Sequence, residues 1–209
     1  MWTITPEQFL TPDQVKKLRI LAQGRAEEAR QTGAWHPVRD WMMVDLALSS
    51  GLRASELAAL KLEDLVMDKA APAIIVRRGK GAKLRVVKIG EELRRHLEEY
   101  LVEREAADHA SSPYLLPGQR GQWTRHGIRR AFKSMAQIAG LPVRFSTHSC
   151  RHTFATLLLR ASGSLRMVQK ALGHSSPTTT STYADVIDED AQKAANRLYG
   201  DAATAGGGT

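Results

Sequence analysis

Apolar residues recur at helical spacing along most of the chain. Thr11 can cap a helix in which Pro12 takes the first position, and Val15, Leu18 and Leu21 follow on one face. Gln23 to Trp35 is polar and reads either as a loop or as an extension of that helix. Pro37 opens a strongly apolar helix through Trp41, Met42, Leu46 and Leu48, which stops near Gly51, a residue suited to a left-handed cap. A short helix fits Arg53 to Leu60. Between Ala73 and Ile89 the pattern changes. Ile74-Ile75-Val76 and Leu84-Arg85-Val86-Val87 flank Gly79-Lys80-Gly81-Ala82, which predicts a β-hairpin. Helices then fit Glu91 to Ala107, Thr124 to Ala139 with Gly140 as the stop, His148 to Ala161, and Ser164 to Leu172 with Gly173 as the stop. Two more fit Pro177 to Asp185 and Asp188 to Tyr199. The fold class is therefore mainly α with a small antiparallel β-sheet (α+β), in one domain over 1–200. The small, glycine-rich end, 201–209, reads as a disordered tail.

The chain has 209 residues, ample for a hydrophobic core. Its single cysteine, Cys150, excludes an internal disulfide framework and reads as a packed small residue. No apolar run approaches the roughly 18 residues of a membrane span, and the start lacks a signal-peptide pattern, so a cytoplasmic protein is expected. Charge is more informative. Thirty Lys and Arg face 22 Asp and Glu, a net of +8. No acidic residue stands between Asp108 and Asp185, a stretch with ten basic ones, so the remainder carries a net of −2. A second acid-free run, Ala70 to Gly90, holds six basic residues. Such asymmetry points to a polyanion, most simply nucleic acid; the alternative is a solvated basic face without a partner.

Several residues could carry chemistry. His148 and Arg151 lie three apart at a helix start, where guanidinium and helix N-terminus would both favour a phosphate. Phe154, Leu157, Leu158 and Ala161 are expected to form the buried stripe of that helix. The competing reading is an arginine paired with a carboxylate beside a hydrogen-bonded histidine. His148 and His152 could reach one metal, but the glutamate of a zinc-hydrolase helix is missing and Arg151 would repel the cation. Arg53 and Glu56 share a helix face, His174 follows a helix stop, Lys80 occupies a hairpin tip, and Tyr183 lies nine residues past His174.

Together these residues resemble the catalytic domain of the tyrosine recombinases, the phage-integrase and Xer-like family. The matching boxes are SGLRASEL with Arg53, GKGAK with Lys80, HSCRHT with His148 and Arg151, LGHSS with His174, and STYADV with Tyr183. The resemblance implies DNA strand cleavage and rejoining through a 3′-phosphotyrosyl intermediate. Tyr183 would be the nucleophile and His148 the general base. Arg53, Arg151 and His174 would stabilise the transition state, and Lys80 would be the general acid. Glu56 would orient Arg53 or a neighbouring imidazole. Arg125, Arg129, Arg130, Lys133 and Lys83 would contact DNA. No cofactor and no metal are implied, because the phosphotyrosine conserves the phosphodiester energy. Double-stranded DNA is the expected partner, with a homo-oligomer (a tetramer) on DNA and a monomer as the free alternative. A bacterial, nucleoid-associated setting follows. Ala191, Ala194, Ala195, Leu198 and Tyr199 could dock on a neighbouring protomer or pack in cis. Most members of the family carry an N-terminal core-binding domain on the order of 100 residues; this sequence begins almost at the first helix of the catalytic domain, so it is expected to be either a fragment or one of the short, single-domain members. Other readings are a type IB topoisomerase, a non-catalytic DNA-binding regulator on the same fold, and, more remotely, a metal-dependent hydrolase.

Overall fold

The computed structural model describes residues 8–77, 84–109, 111–119 and 121–173. Helix α1 (Pro12–Thr32) starts at a reciprocal cap: the Gln14 N–H donates to Thr11 Oγ1 at 3.3 Å, and the Thr11 N–H to Gln14 Oε1 at 2.9 Å. It runs through the polar stretch after Gln23, so the extension, not the loop, is what forms. Leu18, Ala22, Ala26 and Ala29 keep one face buried to its end. Helix α2 (Trp35–Ser50) begins two residues before Pro37. The proline falls in the first turn, where backbone N–H groups have no partner within the helix, so it does not set the boundary.

Helix α2 is the core. Trp41 to Leu48 are all buried, because α1, α3, α4, α5 and α6 pack around it. Helix α3 (Ala54–Ala59) and a single 3₁₀ turn (Leu62–Asp64) lead into the sheet. The sheet has three antiparallel strands: β1 (Leu65–Val66), β2 (Ala73–Val76) and β3 (Arg85–Lys88). Val76 pairs with Arg85, Ile74 with Val87, and Leu65 with Ile74. The third strand, β1, is two residues long, too short for an alternation to show in the sequence.

Helix α4 (Glu91–Arg104) follows, with a wider π turn over 105–109. A two-stranded ribbon, β4 (Pro117–Gly118) and β5 (Gly121–Gln122), precedes α5 (Arg125–Ile138). Thr124 caps α5, accepting from the Gly127 N–H at 3.0 Å, and Ile128, Phe132, Met135 and Ala136 are buried. Helix α6 (Thr147–Ser162) is capped by Ser146, and α7 (Leu165–Leu172) by Ser164.

One expectation is corrected on α6. Its buried positions are Thr147, Ser149, Cys150, Arg151, Thr153, Ala155, Thr156 and Leu159; of the anticipated stripe, Phe154 and Leu158 are partly buried, Leu157 is 41% exposed and Ala161 is exposed. The helix is wedged between α2 and α7, so its buried surface turns toward both, and only the Phe154 and Leu158 half of the anticipated stripe is covered. Ala155 and Leu159 meet Val168 and Leu172 in a small second core. Burial holds the Cys150 thiol far above its ordinary range, which leaves it inert. Among the described residues no helix is long and apolar enough to cross a membrane.

Candidate active site

The ends of several elements converge at one point. Helix α2 stops at Gly51, which takes the left-handed conformation with φ +62°. A Cβ there would sit 2.4 Å from Phe154 Cδ1 and 3.0 Å from Leu172 Cδ2, so both the turn and the packing require glycine. The reversal carries the chain straight into Arg53, the residue before α3. Glu56, one turn on, accepts from the Arg53 N–H at 2.8 Å and from Arg53 Nη1 at 3.1 Å. The sequence pairing of Arg53 with Glu56 is therefore present.

Glu56 has a stronger partner. Arg85, on β3, donates from Nη1 to Glu56 Oε1 and from Nη2 to Oε2, both at 2.7 Å. Its Nε donates to the Ala171 carbonyl at 3.0 Å, near the C-terminal end of α7. Gly173 makes room for it, since a Cβ there would lie 2.6 Å from Arg85 Cδ. Arg85 was not singled out from the sequence. A signal was available: Val87 points inward, and with a two-residue strand period Arg85 must do the same. A charge at an inward strand position needs a partner, and Glu56 is that partner.

Arg151 enters from the first turns of α6 and is 2% exposed. Its Nη1 donates to the Gly51 carbonyl and its Nη2 to the Leu172 carbonyl, both at 2.7 Å. These carbonyls end α2 and α7, where helix dipoles present negative charge to the guanidinium. Glu56 Oε2 lies 3.9 Å from Arg151 Nη1. Glu56 thus stands among three arginines. Burial alone would raise its pKa, but hydrogen bonds from Arg85 and Arg53 and their charges bring it to about 2. It is ionised at every physiological pH. Among the described residues, three guanidiniums thus converge on one carboxylate, an arrangement suited to an anion with several oxygens.

His148, on α6, lies next to this cluster. Partial desolvation comes first, then the charges of Arg151, Arg53 and Arg129, and together they push it below the ordinary histidine value. At neutral pH it is an uncharged imidazole able to accept a proton. Its ring meets His152 edge-on, with centroids 4.5 Å apart. Arg125, Arg129, Arg130 and Lys133 are all exposed on α5, and the charge of Arg129 reaches His148. Lys80, Lys83, His174 and Tyr183 lie outside the described residues, as do Ala191 to Tyr199 and the 201–209 end.

This convergence of arginines on one carboxylate, with His148 beside them, makes a basic, anion-suited site on a mainly helical fold. The model of the phage integrase family matches residues 8–190, and the chain belongs to that family. Tyrosine recombinase XerD of Bradyrhizobium diazoefficiens is 35% identical over 184 residues, covering 84% of this chain and 56% of that protein. Among solved structures, XerA recombinase matches with a TM-score of 0.72 at 30% identity, over 88% of this chain and 61% of that one. XerH recombinase, in a post-cleavage complex with a palindromic difH substrate, matches with a TM-score of 0.74 at 25% identity, over 90% and 52%. The chain spans little more than half the length of the curated relatives it matches.

Proposed function

We propose that this chain cleaves and rejoins double-stranded DNA as the catalytic part of a tyrosine-type site-specific recombinase. The observation that carries the reading is the anchoring of Arg53 and Arg151 around Glu56, with His148 beside them, its pKa lowered by burial and by their charges. The two arginines come from boxes 98 residues apart in the sequence. They would grip the non-bridging oxygens of the scissile phosphate, with His174 adding a hydrogen bond. The Tyr183 phenol attacks phosphorus, His148 takes its proton, and the bond to the 5′-oxygen breaks. Lys80 protonates that oxygen. The products are a 3′-phosphotyrosine and a 5′-hydroxyl, and rejoining reverses the step. Arg125, Arg129, Arg130 and Lys133 on α5, together with Lys83, would hold the flanking phosphates. Binding of DNA by a homo-oligomer belongs to the same proposal, and the XerH complex with its difH substrate supports the choice of DNA.

Incubation with a nicked suicide DNA carrying the recombination site, followed by a denaturing gel, tests this. A covalent protein–DNA band is expected from the wild type and none from Tyr183→Phe. A band in the Phe variant, or none from the wild type on its own site, overturns the assignment. Lys80→Ala is expected to slow cleavage of ordinary DNA but not of DNA with a 5′-thio leaving group, which needs no proton. Equal defects on both would remove Lys80 from the acid role.

A further inference from the structure

We propose that Arg85 is a positioning residue of this site, which occupies Glu56 so that Arg53 stays available to the phosphate. The inference rests on the recombinase reading above. Arg85 is 8% exposed on its side chain, and its Nε, Nη1 and Nη2 all donate within the protein, to the Ala171 carbonyl and to the two oxygens of Glu56. Its fork covers both oxygens of Glu56, whereas Arg53 makes one side-chain bond to the same carboxylate, at 3.1 Å, and stays 38% exposed. A two-pronged guanidinium–carboxylate pair is the stronger arrangement, so Glu56 is held by Arg85 first and by Arg53 second. Without Arg85, both oxygens of Glu56 would lose their two-pronged partner. The Glu56 carboxylate, 11% exposed with Arg85 in place, would then recruit Arg53, the guanidinium already bonded to it through one nitrogen. Arg53, the N-cap of α3, would be drawn away from substrate by the Glu56 carboxylate one turn on. The bond to the Ala171 carbonyl and the contact with Gly173 fix Arg85 in this place, tying β3 to α3 and to the end of α7.

This mechanism predicts a reversal that a purely structural role does not. Arg85→Met leaves an unopposed carboxylate, and adding Glu56→Gln removes it. Single-turnover cleavage of the suicide DNA would be measured for wild type, Arg85→Met, Glu56→Gln and the double variant, with thermal melts alongside. Arg85→Met is expected to cleave about a hundredfold more slowly, the size of effect seen when one transition-state donor is lost. The double variant is expected to recover at least about tenfold over Arg85→Met, with DNA affinity unchanged within about twofold. If Arg85→Met does not fold, Arg85→Lys serves in its place, keeping the charge but losing the fork. It should cleave more slowly than wild type and speed up when Glu56→Gln is added. Cleavage by the double variant as slow as, or slower than, the Arg85 variant alone overturns the proposal, and so does wild-type speed in Arg85→Met. If the wild type itself forms no covalent complex, the recombinase reading has failed. If it does and the reversal is missing, only the role of Arg85 has failed.

Discussion

Two glycines with the same backbone angle allow the packing of the site to be measured apart from its backbone strain. Gly51 and Gly163 both have φ +62°. Beyond Gly163 a Cβ would meet nothing within 4 Å, whereas at Gly51 it would lie 2.4 Å from a ring carbon of Phe154. Gly163→Ala therefore pays only for a left-handed alanine, about 1–2 kcal/mol, partly offset by about 0.4–1 kcal/mol of lost freedom in the unfolded chain. Gly51→Ala carries the same terms and adds overpacking, worth about 1–3 kcal/mol in a well-filled core. Phe154 cannot yield cheaply, because it packs against both the main core and the α6–α7 cluster. The difference between the two variants is expected to be about 2 kcal/mol. Urea unfolding of both, with equal m-values, reads it directly. Cleavage separates them further. Gly51→Ala shifts the carbonyl that accepts from Arg151 and should slow covalent-complex formation, while Gly163→Ala should not. Stabilities within about 0.5 kcal/mol of each other would refute the claim that Gly51 is held by close packing as well as by its turn.

Other outcomes follow from the charges of the site. His148 should titrate below the ordinary histidine value in an NMR pH series, and Arg129→Ala should move its midpoint up, since removing a positive neighbour favours the imidazolium; a downward or absent move would refute the coupling. Glu56 has a folded pKa of about 2 against an ordinary value of 4.5, so its contribution is complete above about pH 4.5 and is lost as pH falls toward 2. That contribution is about 3 kcal/mol, and the stability gap between wild type and Glu56→Gln in urea unfolding should shrink by about that much between pH 6 and pH 2.

Local chemistry made much of the fold legible in the sequence. Thr11 with Gln14, Thr124 ahead of α5, and Gly51, Gly140 and Gly173 after helices all act within four residues of the ends they set. Caps of this kind need no tertiary partner, so they were readable from spacing. The boxes holding Arg53, His148 and Arg151 were readable too, since each is a short local pattern. The same spacing could not show what each guanidinium touches. Arg151 is held by carbonyls 100 and 21 residues away, and Arg85 reaches a carboxylate 29 residues upstream. The buried face of α6 was misjudged for a related reason. A helix gripped by one neighbour shows a single apolar stripe, and a helix gripped by both α2 and α7 does not. The sequence by itself determined which groups are available and where helices start and stop, because those are contests among neighbours along the chain. Only the tertiary structure decided that three arginines share one glutamate, because the balance of charge in a buried site depends on which distant strands and helix ends are brought within about 3 Å.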